Sequence, residues 1–301
     1  MHHRRQDYLD RGHSAAELAG AVRAGEFVRL GRGIYGEAGS WETPEDRHRD
    51  LVTAMVPDLK SGSVLSHASA GVLHELWLPE RELRRVQVAR GGKGGGSISR
   101  YLHVHRLVPD RVVHAPGLEL QMTDLLTTTL DLLRQLPIAD AVAVADSALR
   151  RGLDQAELLD ALERRRRVPG NRTARLAAEF ANPLSESRGE SFSRWRIHEL
   201  GLPAPELQHR LDTEEGEFIG RCDFWWPDQC LVGEFDGKVK YGRLLKPGQS
   251  VTEVVLAEKN REEAIRRQGD WVARWTWREA ESDDLHKIVS RGLKYAARRA
   301  G

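Results

Sequence analysis

Three carboxylates and one amine, on Asp223, Glu234, Asp236 and Lys238, fall in a short stretch that reads as two strands joined by a turn. The turn is Trp226-Pro227-Asp228-Gln229, in which proline presets the second position. A tight hairpin there sets Trp225 opposite Cys230, Phe224 opposite Leu231 and Asp223 opposite Val232. Side chains alternate along a strand, so Asp223 shares a face with Val232, Glu234, Asp236 and Lys238, while Phe235 and Val239 point the other way. Asp223 and Glu234 then become diagonal neighbours, with backbones about 7–8 Å apart. Acids this crowded repel one another unless a cation intervenes. Carboxylate oxygens suit a hard ion, Mg2+ (or Mn2+), that keeps several of its waters. Such an ion lowers the pKa of a bound water and stabilises charge on phosphorus, and a neighbouring lysine orients the water or neutralises phosphate. The chemistry to expect is therefore phosphodiester hydrolysis.

Two plainer readings stand beside this one. Asp236-Gly237 between apolar residues is also a hairpin signal, which would leave Glu234 as a surface charge. A domain of the same fold can also bind DNA without cutting it. Other suggestive residues carry less. Gly91 to Gly96 lacks the strand-to-helix setting and the Lys-Ser/Thr of a phosphate loop. His67, His74, His103 and His105 lack metal-ligand spacing and read as structural or surface groups. The arginines from 164 to 167 read as a solvated helix end. Trp271, Trp275 and Trp277 alternate in a strand and read as packing. Cys222 and Cys230 fall on opposite faces in the hairpin register, so no bridge is expected.

The elements that must position the acids follow in a specific order. A helix over about 185 to 200 precedes strands at Glu206 to Leu211, Phe218 to Trp226 and Cys230 to Lys238. A polar loop, 241 to 250, leads to a helix at about 252 to 268, a strand over 271 to 277, and a last helix. The order is αβββαβα. At the other end of the chain, Arg4 to Asp10 reads as a short helix. Ser14 with Glu17 makes a capping box for a second helix that ends at Gly25. The segment FVRLGRGIYG, residues 27 to 36, follows as a β-wing carrying Arg29 and Arg32. Between lie a helix over Glu42 to Met55, a helix capped by Ser66 and ending at Pro79, strands over 83 to 113 and helices from Thr123 to Arg166 split by Pro137. A linker is expected at Pro169, Gly170 and Asn171.

These elements predict an α+β multidomain protein. A winged helix would occupy residues 1–45, a helical and β middle region 46–182, and an αβββαβ domain that resembles the restriction-endonuclease-like fold 183–301. A chain of 301 residues is long enough for two or three cores. A net charge of +1 excludes a globally basic nucleic-acid binder, so any DNA-binding surface must be local. Two cysteines speak against a disulfide framework, and no segment is apolar enough for a membrane span or signal. Cytoplasmic residence and no membrane partner are the expectation.

Two resemblances add to this reading. Asp223 followed by Glu234-Phe235-Asp236-Gly237-Lys238 resembles the PD-(D/E)XK nuclease superfamily. Within it, RCDFWWPDQCLVGEFDGKVKY and VVLAEKNREEAIRRQGDWVARWTW are similar to domains related to the very-short-patch-repair endonucleases. The resemblance implies that Asp223, Glu234 and Asp236 hold metal, that Lys238 assists, and that Glu190 of SESRGESF is the glutamate contributed by the preceding helix. Where that branch has a histidine six residues after the glutamate, this chain has Lys240. This leaves open whether the chemistry survives or Lys240 has become a phosphate contact. In the N-terminal half, RAGEFVRLGRGIYG, VLSHASAGVLHELWLP and HRLVPDRV are similar to the AbiEi-type antitoxin domain, whose members repress transcription by binding DNA. That resemblance implies DNA contacts from Arg29 and Arg32 and from Arg23 on the helix before the wing, although this helix presents mostly alanine. The expected activity is a metal-dependent DNA endonuclease or nickase targeted by the winged helix. The alternative is an AbiEi-like repressor or antitoxin with a non-cleaving nuclease fold. One acid cluster nicks one strand, so cutting both calls for a homodimer or sequential events; a toxin partner is implied by the antitoxin resemblance alone.

Overall fold

The computed structural model describes residues 2–213, 215–237 and 251–297, with the side chains of 251, 253–255, 257, 258, 296 and 297 set aside. The chain is α+β and forms two compact units, Met1–Phe180 and Ala181–Gly301. Among the described residues no helix is long and apolar enough to cross a membrane.

The first unit opens with β1 (His2–Arg4), α1 (Arg5–Asp10) and α2 (Ala15–Ala24). Helix α2 starts where Ser14 and Glu17 cap each other's backbone N–H groups, and it stops at Gly25, whose φ of 78° only glycine adopts cheaply. The hairpin of β2 (Phe27–Gly31) and β3 (Ile34–Glu37) follows, with β1 paired on the far side of β3. Leu30 and Ile34 do not close a core of their own. They are buried with Leu51 and Val52 of α3 (Pro44–Met55) and with residues of a six-stranded sheet.

That sheet is built from β4 (Val64–Leu65), β5 (Val86–Ala89), β6 (Ser97–Ile98), β7 (Leu102–His105), β8 (Val112–His114) and β9 (Gln121–Thr123), in the order β6-β7-β5-β4-β9-β8. Helix α4 (His67–Leu73) follows β4 and ends well short of Pro79. Helices α5 (Leu125–Gln135), α6 (Ile138–Arg150), α7 (Gln155–Arg164) and α8 (Asn171–Phe180) complete the unit. The expected linker at Asn171 is instead the start of α8. Asn171 is buried, accepts from Arg134 Nε at 2.9 Å and donates to the Leu162 carbonyl at 2.8 Å. A side chain so fully used belongs to a packed helix.

The second unit keeps the expected element order. Helix α9 (Arg188–Glu199) is followed by β10 (Glu206–Asp212), β11 (Phe218–Trp226) and β12 (Leu231–Phe235), then α10 (Val251–Arg267), β13 (Trp271–Trp275), α11 (Trp277–Ala280) and α12 (Asp284–Ala297). The sheet runs β10-β11-β12-β13, antiparallel except for the parallel pair β12–β13. One face buries Phe224, Trp226, Leu231 and Trp275 with Ile197 of α9 and Leu285 and Val289 of α12. The other buries Trp225 and Val232 against Ile265 of α10. Burying an aromatic of this size is worth about 3–5 kcal/mol against truncation. The indole N–H groups are also satisfied: Trp226 donates to the Pro203 carbonyl and Trp275 to Ser193 Oγ, each at 2.8 Å. The second of these bonds pins α9 to the sheet.

Candidate active site

The β11–β12 hairpin pairs Trp226 with Leu231, Trp225 with Val232 and Phe224 with Gly233. This register lies two residues away from the expected one. Cys230, expected opposite Trp225, instead takes a left-handed conformation (φ 45°) after the turn of Pro227–Gln229, and so joins the loop. An even shift leaves every side chain on its expected face. It does change the neighbours: by continuation of the pairing, Asp223 stands directly across from Glu234. On the other side, Leu207 pairs with Phe224 and His209 with Cys222, so Gln208 stands across from Asp223. Glu234 in turn pairs with Arg274. A polar row of Gln208, Asp223, Glu234 and Arg274 thus crosses all four strands.

Glycine brings the α9 glutamate to this row. A Cβ on Gly189 would lie 1.9 Å from Phe235 Cε1, so the helix can approach the sheet this closely only at a residue without a side chain. Glu190 follows and is buried. Its Oε1 accepts from Ser187 Oγ at 2.7 Å, and its Oε2 accepts from the Glu186 N–H and Gln208 Nε2, each at 2.8 Å. Burial raises its pKa, opposed by these hydrogen bonds. Asp223 is held by one bond, from the Phe235 N–H to Oδ2 at 2.9 Å. Burial pushes its carboxyl up to about 7. The charges of Glu190 and Glu234 act in the same direction, against the Phe235 N–H and Arg261.

Glu234 sits differently. Its Oε1 accepts from Arg261 Nη2 of α10 at 2.5 Å and its Oε2 from Arg274 Nε at 2.8 Å, while Arg274 Nη1 reaches Glu262 at 2.8 Å. Two guanidiniums therefore supply the countercharge that the sequence assigned to a metal. Asp236 lies past the end of β12 and is exposed; its N–H donates to the Trp275 carbonyl at 2.8 Å. Lys238 and Lys240 lie outside the described residues. The structure thus gathers Asp223, Glu234 and Glu190, while Asp236 lies exposed just beyond β12.

Does this donor set fit a divalent ion? Among the described residues no group of three His, Cys, Asp or Glu side chains is arranged to hold a metal. No salt bridge among them reaches Asp223 or Glu190. A buried and a half-buried carboxylate without an ion pair match Mg2+, which is commonly held by one or two carboxylates and otherwise by water and substrate phosphate. The oxygen chemistry and the charge fit; a cage made only of protein ligands is not formed.

No protein-family model matches the chain. It is 31% identical over 149 residues to the uncharacterized protein MT2308 of Mycobacterium tuberculosis (strain CDC 1551 / Oshkosh), and equally to the uncharacterized protein Rv2248 of strain ATCC 25618 / H37Rv. The match takes in 45% of this chain and 55% of each relative, so the chain spans about half the length of the relatives it matches. Among solved structures, the RV2827C protein of Mycobacterium tuberculosis is similar with a TM-score of 0.35 and 12% identity, over 71% of this chain and 84% of that one. A likeness this distant carries no argument about function.

The residues expected to meet DNA lie on the first unit. Arg23, in the last turn of α2, is exposed, as are Arg29 on β2 and Arg32 at the hairpin tip. Arg29 Nε donates to the Gly31 carbonyl at 3.2 Å, which steadies the arginine along the wing. Several residues that shape the sites gave no signal in the sequence. Gln208 is one polar residue among many in ELQHRLD, and Arg261 is one of many charged residues along α10. Three of the histidines read as structural or surface groups come together: the ring centroids of His67 and His105 stack at 3.5 Å and those of His103 and His105 lie 3.8 Å apart.

Proposed function

We propose that this chain is a metal-dependent DNA endonuclease or nickase, with the α2–wing region of the first unit holding DNA and the second unit cutting it. The observation that carries this reading is the half-buried Asp223 carboxylate between Gln208 and Glu234, with the buried Glu190 beside it and no guanidinium bonded to either Asp223 or Glu190 among the described residues. The αβββαβα order and the resemblance to PD-(D/E)XK nucleases, in particular the very-short-patch-repair-like branch, support it. Asp223 would hold Mg2+ or Mn2+, with Glu234 and Asp236 as the further ligands and Lys238 as the assisting amine that the resemblance implies. Bound there, the ion supplies an activated water and charge stabilisation at phosphorus. The chain's own part is to hold the carboxylates in place and to exclude bulk water from Asp223.

One observation favours a second reading, an AbiEi-like DNA-binding repressor or antitoxin that does not cut. Arg261 and Arg274 already neutralise Glu234, so one implied ligand is engaged. Purified protein incubated with supercoiled DNA separates the two. The nuclease reading expects nicking with Mg2+ that EDTA abolishes and Asp223→Ala removes. Tight binding of its own promoter with no cleavage of any DNA form refutes it in favour of the repressor.

A further inference from the structure

We propose that Gln208 is a positioning residue for this site: its side-chain amide fixes the Glu190 carboxylate next to Asp223, and its unusual backbone conformation is what delivers the amide. This inference rests on the metal-dependent reading above and adds a residue that no motif marks.

Gln208 has φ of 53° in the middle of β10. The left-handed region is uncommon for a residue with a long side chain, and holding one there costs on the order of 1–3 kcal/mol. The flanking pairs, Leu207 with Phe224 and His209 with Cys222, keep one uninterrupted count, so the conformation does not absorb an inserted residue. It changes the local backbone of a strand whose register needs no repair. What accompanies it is a hydrogen bond 18 residues back along the chain, from Gln208 Nε2 to Glu190 Oε2 at 2.8 Å. Glycine or asparagine would occupy this backbone more easily. Glycine has no amide to offer, and that of asparagine is one methylene shorter.

The bond sets which way Glu190 can act. A carboxylate has about four lone-pair directions. The Glu186 N–H, Ser187 Oγ and Gln208 Nε2 occupy three of them. The first two come from the α9 N-terminus and would hold the glutamate wherever that helix went. Only the Gln208 bond ties the carboxylate to the sheet and to Asp223. Without it, Glu190 stays where Gly189 and the Ser193–Trp275 bond seat α9, but no hydrogen bond from the sheet orients its carboxylate toward Asp223.

Mn2+ uptake by the full chain, followed by calorimetry and by water-proton relaxation, tests this without requiring turnover. Replacing an outer partner that orients a ligand typically weakens metal binding by about 10–100-fold. Gln208→Gly is expected to bind Mn2+ at least about tenfold more weakly, while its thermal midpoint stays level or rises because the left-handed strain is gone. Gln208→Asn should keep the backbone and still bind weakly. Equal Mn2+ affinity in wild type and Gln208→Gly overturns the assignment and leaves the nuclease reading intact. A Gln208→Gly protein that loses thermal stability along with affinity overturns it in favour of a structural role. No Mn2+ uptake by the wild type overturns both.

Discussion

The approach of α9 to the sheet can be tested with one methyl group. In Gly189→Ala, the new Cβ would meet Phe235 Cε1 at 1.9 Å, Cζ at 2.3 Å and Cδ1 at 2.4 Å. Ordinary carbon contact begins near 3.5 Å, so the ring or the helix must give way by more than about 1 Å. Two effects oppose each other. Alanine is favoured over glycine inside a helix by about 1 kcal/mol, less near the first turn where Gly189 sits. Overpacking a filled core costs about 1–3 kcal/mol, and a contact this short against a ring belongs at the upper end. The clash should win, giving a net loss of about 1–2 kcal/mol in urea unfolding. Phe235→Leu removes the ring atoms concerned, so the double variant should recover part of the loss, with a coupling energy of at least about 0.5 kcal/mol. A Gly189→Ala protein as stable as wild type, or additive with Phe235→Leu, would refute the claim that this glycine seats Glu190 against the sheet.

Two further outcomes are expected in the first unit. His48 is buried as a neutral ring, with Nδ1 2.8 Å from the Leu83 carbonyl and Nε2 2.9 Å from Ser69 Oγ; burial, helped by Arg49, lowers its pKa from 6.5 to about 4 against the Leu83 bond. The folded state thus takes up fewer protons than the unfolded one, and stability falls as pH drops from 6.5 toward 4. Between pH 8 and pH 5 the loss from His48 alone is about 2 kcal/mol, to which the depressed His67 and His105 add in the same direction. Urea unfolding at the two pH values, with the His48 ring followed by NMR, checks this; titration of that ring near 6.5 would contradict it. On the wing, Arg29→Ala with Arg32→Ala should weaken DNA binding and lower the slope of log affinity against log salt by about 2. An unchanged slope would remove the wing from the interface.

What the sequence revealed, and what it hid, follows from how local each cause is. The strand of Phe218–Trp226, the capping box of Ser14 and Glu17 and the glycine stop at Gly25 depend on neighbours a few positions away, and the residue types announce them. Asp223 and Glu234 could be placed on one face because parity along a strand survives any even error in register. The register itself could not be read, since it turned on Cys230 adopting a conformation that its type does not advertise. Strand β1 was invisible for a similar reason: His2–Arg4 has no apolar alternation and exists because β3 offers it an edge. The pairing of Glu234 with Arg261 and Arg274 joins positions 27 and 40 residues away, and no local pattern encodes such a choice.

That pairing also decides where along the polar row a cation can act. Glu234 is matched by two guanidiniums, and by position it stands nearest β13. Asp223 and Glu190 have between them two backbone N–H groups, one serine hydroxyl and one side-chain amide, all neutral donors. Neutral dipoles orient a carboxylate but do not cancel its charge, and burial makes the remaining charge costly. The uncompensated end of the row is therefore the Gln208–Asp223–Glu190 end. On the proposed nuclease reading, Asp223 and Glu190 at that end are the carboxylates that would hold a divalent ion, because Glu234 is already matched by Arg261 and Arg274.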